Sequence, residues 1–254
     1  MTRQRVRQAP SRSDSCSSGP PKRIEPILKH RLHASESRSS GFVQIVEIWF
    51  EFASSYSYPA AARIEFAARD AGVGIRWRPF LLGPIFVEQG WGDSPFNIYP
   101  AKGRYMWRDL ERLCAGYEIP WKRPSVFPRN GLLAARVALA AEHESWLPGF
   151  ITGIFRANFA KDLEISDPAV VGRVLEGAGQ ESAEWLERAG STQIKNALHQ
   201  QTQQAVGLGI FGAPSFVVGG PTTEPGAPAP KRGGELFWGN DRLDQALSWA
   251  NRQD

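Results

Sequence analysis

Val43-Gln44-Ile45-Val46-Glu47-Ile48-Trp49-Phe50-Glu51-Phe52 decides the fold class of this chain. Its β-branched and aromatic content with partial alternation predicts a buried strand. Ala53-Ser54-Ser55-Tyr56-Ser57 follows, after which Ala61, Ile64, Ala68 and Ala71 fall at helical spacing. Gly72 and Gly74 supply the helix stop before Ile75-Arg76-Trp77-Arg78-Pro79-Phe80, a second strand. The unit is β-α-β, and a right-handed crossover makes its two strands parallel.

Downstream, from about Gly103 to Gly207, the period is helical, with breaks at Pro120 to Pro128, at Pro148, at Ser166-Asp167-Pro168 and at Gly190. Ser-Asp-Pro is a helix start. Phe211-Gly212-Ala213-Pro214-Ser215-Phe216-Val217-Val218 enters a strand, Glu235-Leu236-Phe237-Trp238 forms another, and a last helix runs from about Asn240 to Ala250. The last two strands form a hairpin, antiparallel at one sheet edge. Their connection, Gly219 to Gly234, is far longer than the roughly two to five residues of a typical hairpin loop. Such an order suits an α/β protein with a thioredoxin-like sheet carrying an all-helical insertion. The expected division is 42–102 with 196–254 for the thioredoxin-like part and 103–195 for the inserted helices.

Upstream, residues 1–41 are rich in Ser, Arg and Pro without periodicity, so they cannot bury enough surface to offset the entropy of ordering. They read as a disordered basic tail. An organellar transit peptide fits the Arg/Ser bias, but Asp14, Glu25 and Glu36 count against it, and a misassigned start fits as well. The tail holds nine Lys/Arg and three Asp/Glu, so the overall net charge of +4 leaves the remainder at about −2. With no basic stripe in the folded part, neither nucleic acid nor a membrane is an expected partner. No apolar run reaches the length of a transmembrane span or the form of a secretion signal, and a cytoplasmic location is the expectation.

Cys16 and Cys114 cannot form a Cys-x-x-Cys pair or a zinc site, which removes the usual ligands of redox and metal chemistry. His143 and His199 sit among polar neighbours in helical patterns and read as solvated surface residues. Ser54 and Ser57 stand at the turn from strand to helix, where free N–H groups and the helix dipole favour a developing anion, and where a serine also serves simply as a cap. Without a base in reach, Ser54 is a poor nucleophile. A hydroxyl there can instead donate to a thiolate, and the thiol must come from outside. Ala213-Pro214 precedes a strand, either as a cis bond turning the Ala213 backbone toward a ligand or as a proline opening an edge strand. Gly239-Asn240-Asp241-Arg242 opens a helix, where Asn240 or Asp241 suits N-capping or the binding of a carboxylate ligand.

Three stretches, Phe50-Glu51-Phe52-Ala53-Ser54-Ser55-Tyr56-Ser57-Tyr58, Phe211-Gly212-Ala213-Pro214-Ser215-Phe216 and Phe237-Trp238-Gly239-Asn240-Asp241-Arg242-Leu243, together resemble 2-hydroxychromene-2-carboxylate isomerases and kappa-class glutathione transferases. The resemblance spans roughly residues 44 to 250. It implies a thioredoxin-like fold with inserted helices, related to disulfide oxidoreductases whose Cys-x-x-Cys would fall on Ser54 and Ser57. It also implies glutathione as cofactor, with Ser54 as the catalytic serine stabilising its thiolate. The Ala213 backbone before a cis-Pro214 would pair with the cysteinyl part, and Asn240 and Asp241 would hold the γ-glutamyl end. Lys102 would meet the glycyl carboxylate, and Asp93 or Asn97 would replace a family asparagine that this chain lacks. The chain departs from the family's frequent Ser-Pro at Ser54-Ser55.

The implied reaction is reversible addition of the thiol to an aromatic or unsaturated electrophile, a small molecule. Trp91, Tyr105 and Trp107 are candidates to line its cleft, or to pack in the core. A transferase that releases the conjugate and a thiol-peptide binding module without turnover are the alternatives. The family suggests a homodimer, for which the sequence offers no independent sign.

Overall fold

The computed structural model describes residues 44–219 and 234–252. The expected disordered tail at 1–41 and nearly all of the long hairpin connection lie outside the described residues.

The opening strand, β1 (Ile45–Phe50), pairs in parallel with β2 (Gly74–Pro79), in register from Ile45 opposite Gly74 to Phe50 opposite Pro79. Between them runs α1 (Ser57–Ala71). It stops where Gly72 turns left-handed at φ 68°, as the glycine signal predicts, and the Gly72 N–H bonds back to the carbonyls of Ala68 and Arg69. On its other side β1 pairs antiparallel with β3 (Ser215–Val218), which pairs antiparallel with β4 (Glu235–Trp238). The sheet order is β2-β1-β3-β4, so the chain's last two strands form the antiparallel edge that the sequence order predicts.

Ten further helical segments follow β2 in the described chain, counting one 3-10 turn. Two of them, α2 (Leu82–Glu88) and α3 (Pro95–Ile98), carry no visible sequence periodicity, because one or two turns are too short to display a face. Next come α4 (Pro100–Gly116), α5 (Leu132–Ala140), α6 (Leu147–Phe159), α7 (Pro168–Gly177), α8 (Ser182–Gly190) and α9 (Thr192–Gly207). The Ser-Asp-Pro start of α7 is realised, since the Asp167 carboxylate accepts the Ala169 N–H and Pro168 sits in the first turn. Pro148 lies inside the first turn of α6 rather than in the break, and an unexpected break separates α7 from α8. After β4 a 3-10 turn (Asn240–Arg242) leads into α10 (Leu243–Ala250). Among the described residues no helix is long and apolar enough to cross a membrane.

Alternation along β1 separates two cores. Ile48, Phe50 and Phe52 face a large one, shared with Tyr58 and Ile64 of α1, with Val137 of α5, with Phe150, Phe155 and Phe159 of α6, and with Leu247 of α10. The helical block is therefore packed into the same core as the sheet. Phe50 and Phe52 meet edge-on at 5.2 Å, and Phe52 and Phe155 lie 5.1 Å apart. Burying each such ring contributes roughly 2 kcal/mol, so the end of β1 is firmly held. On the opposite face Trp49 packs with Phe80, Leu82, Ile85, Ile210, Ala213 and Val217.

Candidate active site

The chain leaves β1 through a tight turn in which the Ser54 N–H donates to the Glu51 carbonyl at 3.0 Å. Three residues on, the Ser57 N–H donates to both the Ser54 carbonyl (3.2 Å) and the Ser54 hydroxyl oxygen (3.3 Å). Three consecutive hydroxyls then fan out to different partners. Ser54 Oγ donates to the Ala213 carbonyl at 2.8 Å, Ser55 Oγ contacts Met106 Sδ at 3.0 Å, and the Tyr56 phenol donates to Asp109 Oδ2 at 3.0 Å. The first reaches across to the β3 side of the sheet and the other two tether the turn to α4. Burial, and next the Asp109 carboxylate, hold the Tyr56 phenol above its ordinary pKa.

The Ala213-Pro214 bond is cis. The Pro214 carbonyl in turn accepts the Gly239 N–H at 2.9 Å, which brings the third motif to the same place. Ser54, Ala213-Pro214 and Gly239-Asn240 are thus linked by two hydrogen bonds, although they come from three distant parts of the chain. Asn240 is 3% exposed, and neither polar atom of its side chain has a partner among the described residues. The capping role that would have explained it is not realised, since no side chain caps the 3-10 turn or α10. A buried amide left unpaired costs about 1–3 kcal/mol, which suits a group kept for a ligand. Asp241 is exposed and sits 3.3 Å from Arg242.

Lys102 stands exposed on the first turn of α4, its ammonium 4.7 Å from the Tyr99 ring centre. The Asp93 carboxylate accepts the Ser94 N–H at 2.6 Å and the Asn97 amide at 3.0 Å, and that amide also donates to the Phe127 carbonyl. The two candidates for one role, Asp93 and Asn97, are therefore each other's partners. Neither Lys102 nor Asp93 bonds directly to Ser54, Ala213 or Asn240.

Phe211 and Trp238, both about half exposed, lie 4.8 Å apart beside the cis-proline loop. Gly212 makes this possible, because a Cβ there would overlap the indole nitrogen of Trp238. Of the aromatic residues expected at a cleft, Trp107 packs between Trp121 and Phe127, Trp91 packs on Phe86, and Tyr105 is largely exposed. His143 and His199 are exposed, as expected of solvated residues. Cys114 is buried, and burial pushes its thiol up to about 11.

Two features escaped the sequence reading. Glu51 interrupts the apolar run three residues before Ser54, and its Oε2 accepts the Leu82 N–H at 2.8 Å. Burial pushes its carboxyl from 4.5 up to about 7, against the opposing pull of that N–H. An acid set between two phenylalanines, Phe50 and Phe52, was the available signal. The second feature is a buried polar chain behind the turn. Asn158 donates to the Phe52 carbonyl (3.1 Å), Arg129 donates to Asn158 Oδ1 (3.1 Å), and Arg129 also meets Asp162. The Ser125 N–H, and next Arg129, hold the Asp162 carboxyl well below the usual carboxylate range. Nothing in sequence spacing points to these long-range partners.

Residues 45–248 match the profile of the DSBA-like thioredoxin domain. The chain belongs to this family. The chain is 28% identical over 200 residues to the 2-hydroxychromene-2-carboxylate isomerase of Sphingobium xenophagum, covering 78% of this chain and 94% of that one. It is 26% identical over 211 residues to human glutathione S-transferase kappa 1, covering 78% and 87%. A solved 2-hydroxychromene-2-carboxylate isomerase superposes with a TM-score of 0.69 at 24% identity, covering 82% of this chain and 95% of that one. The resemblance read from three short motifs thus extends over most of the chain, and these relatives are enzymes.

Proposed function

We propose that this chain is a glutathione-dependent isomerase of the 2-hydroxychromene-2-carboxylate isomerase type. The observation that carries the reading is the 2.8 Å bond from the Ser54 hydroxyl to the carbonyl of Ala213, next to a cis-proline and a buried Asn240 whose side chain has no partner among the described residues. Glutathione fits this donor set, being a peptide with a backbone to pair along Ala213, polar ends for side chains and a thiol for the hydroxyl. Asn240 and Asp241 would hold its γ-glutamyl end, and Lys102 its glycyl carboxylate, with Asp93 and Asn97 nearby in sequence as a linked pair. When bound, it supplies a thiol that adds reversibly to an electrophilic aromatic or unsaturated substrate.

The chain's own part is to make that thiol a thiolate. A serine hydroxyl holds one proton to donate, and in this fold it is given to a neutral carbonyl. An anionic sulfur is the stronger acceptor, so Ser54 turns its O–H from Ala213 to the sulfur and lowers the thiol's pKa, aided by the positive end of α1. The freed Ala213 carbonyl then serves the ligand's backbone. A small-molecule electrophile, a cytoplasmic setting and, as the family suggests, a homodimer complete the reading.

Because the human relative is a transferase at nearly the same identity, conjugate release is the second reading. Incubation with glutathione and either a chromene carboxylate or a chlorinated nitroarene separates the two. Isomerisation of the chromene with total thiol unchanged is the expected outcome. Stoichiometric thiol loss on these substrates would assign the transferase, and glutathione binding without turnover of either would leave a binding module.

A further inference from the structure

We propose that Glu51 is the proton acceptor of this site: it takes the proton of the bound thiol while Ser54 holds the sulfur left behind. The assignment rests on the glutathione reading above and adds the destination of the proton. Ser54 cannot be that destination, because a neutral hydroxyl that donates to sulfur has no basicity left to take a proton at neutral pH.

The placement of Glu51 follows from β1. Its side chain emerges on the face of Trp49, and its Oε2 is fixed by the N–H of Leu82. Leu82 and Ala213 belong to one apolar cluster with Trp49, and Ser54 donates to Ala213. The carboxyl and the hydroxyl thus reach the same small cluster from the two ends of one turn, closed at 3.0 Å between Ser54 N and Glu51 O. Oε1 of Glu51 has no hydrogen bond to any described residue, so it is the oxygen that takes the proton.

Other ionisable groups are spent or distant. Tyr56 donates to Asp109, and burial holds both Tyr56 and Tyr58 protonated. Asp93 accepts two donors in its own loop, Asp241 pairs with Arg242, and both described histidines are exposed on other elements. Around Glu51 itself, Glu47 on β1 is paired with Arg76 and Arg78 of β2, and Arg78 also meets Glu142. The only charge on α2 is Glu88 at its far end, β3 has none, and α9 turns the neutral Gln201 to β2 and the neutral Thr202 to Leu81. Burial therefore sets the carboxyl's value of about 7, basic enough to keep a proton and ionised just above neutrality. In the step, the S–H bond breaks, the proton bonds to Glu51 Oε1, and the electron pair stays on sulfur, which accepts the Ser54 O–H. Reversal restores the thiol, and no oxidant or reductant is involved.

The test is a proton inventory on the intact protein, about one pH unit above the Glu51 value. Calorimetry of glutathione binding in buffers of different ionisation enthalpy counts protons released, while ultraviolet absorbance counts thiolate formed. For the wild type we expect thiolate with close to no proton released, because the thiolate beside the carboxyl raises its pKa further and the pair keeps one proton between them. For Glu51→Gln we expect about one proton released per thiolate, or binding as the neutral thiol, with retention restored by Glu51→Asp. A wild-type release of about one proton per thiolate overturns the assignment, whether or not the variant folds, and leaves the Ser54 reading intact. Equal release by the wild type and Glu51→Gln has the same force. Binding without any thiolate in the wild type, or no binding at all, removes the glutathione reading and the assignment together.

Discussion

Ser54 and Ser55 are adjacent, chemically identical and different in use. Ser54 donates to a backbone carbonyl at the cis-proline loop, whereas Ser55 is buried against a methionine sulfur. Ser54→Ala removes a donor and leaves almost no cavity, so its stability cost is about 1 kcal/mol, or roughly 2–4 °C in melting temperature. Its catalytic cost should be far larger. Loss of one donor to a developing anion typically lowers turnover about a hundredfold or more, and glutathione-dependent steady-state kinetics on both proteins will read it. Glu51 is open to a test without any ligand. Its carboxyl is raised in the folded protein from 4.5 to about 7, so the folded state binds more protons than the unfolded one across that interval. The stabilisation is complete below about pH 4.5 and is lost as pH rises through about 7. Denaturant unfolding at a series of pH values should show this decline in the wild type and a flatter profile in Glu51→Gln.

The elements around the turn are positioned by close approaches that have no counterpart in local propensity. Gly131 begins α5, and a Cβ there would lie 2.8 Å from the Cβ of Phe52, two residues before Ser54. Gly131→Ala must push the start of α5 away from the end of β1, at a cost of about 2 kcal/mol, and should weaken glutathione binding as well. Gly149, inside α6, has nothing within 4 Å of its would-be Cβ. Gly149→Ala is the control, expected to stabilise by up to about 1 kcal/mol through helix propensity, with no effect on binding. Chemical denaturation and calorimetry of the two variants compare them directly. Longer helices such as α1 and α9 announced themselves through periodicity and stop signals, but α2 and α3 did not. Those two short helices owe their form to the surfaces they cover rather than to an amphipathic pattern of their own.

The sheet, α1 and the α6 aromatics share one core, and the second core is completed by Ala213 of the cis-proline loop. A ligand bridging the Ser54 turn, that loop and Asn240 would therefore stabilise the protein as a unit. At glutathione concentrations about a hundredfold above its dissociation constant the gain is about 2.7 kcal/mol, which thermal denaturation reads as a rise of several degrees; the rise should shrink in Ser54→Ala. The strands, the left-handed stop at Gly72, the Asp167 cap and the order of the three motifs were legible in residues alone, because each depends on neighbours within one turn or one strand. Which serine meets the loop depended on a partner 159 positions away. The unpaired state of Asn240 and the raised carboxyl of Glu51 were equally invisible, since burial is a property of packing and not of spacing. Local pattern laid out the scaffold, and only the tertiary contacts decided which of its polar groups are free to act.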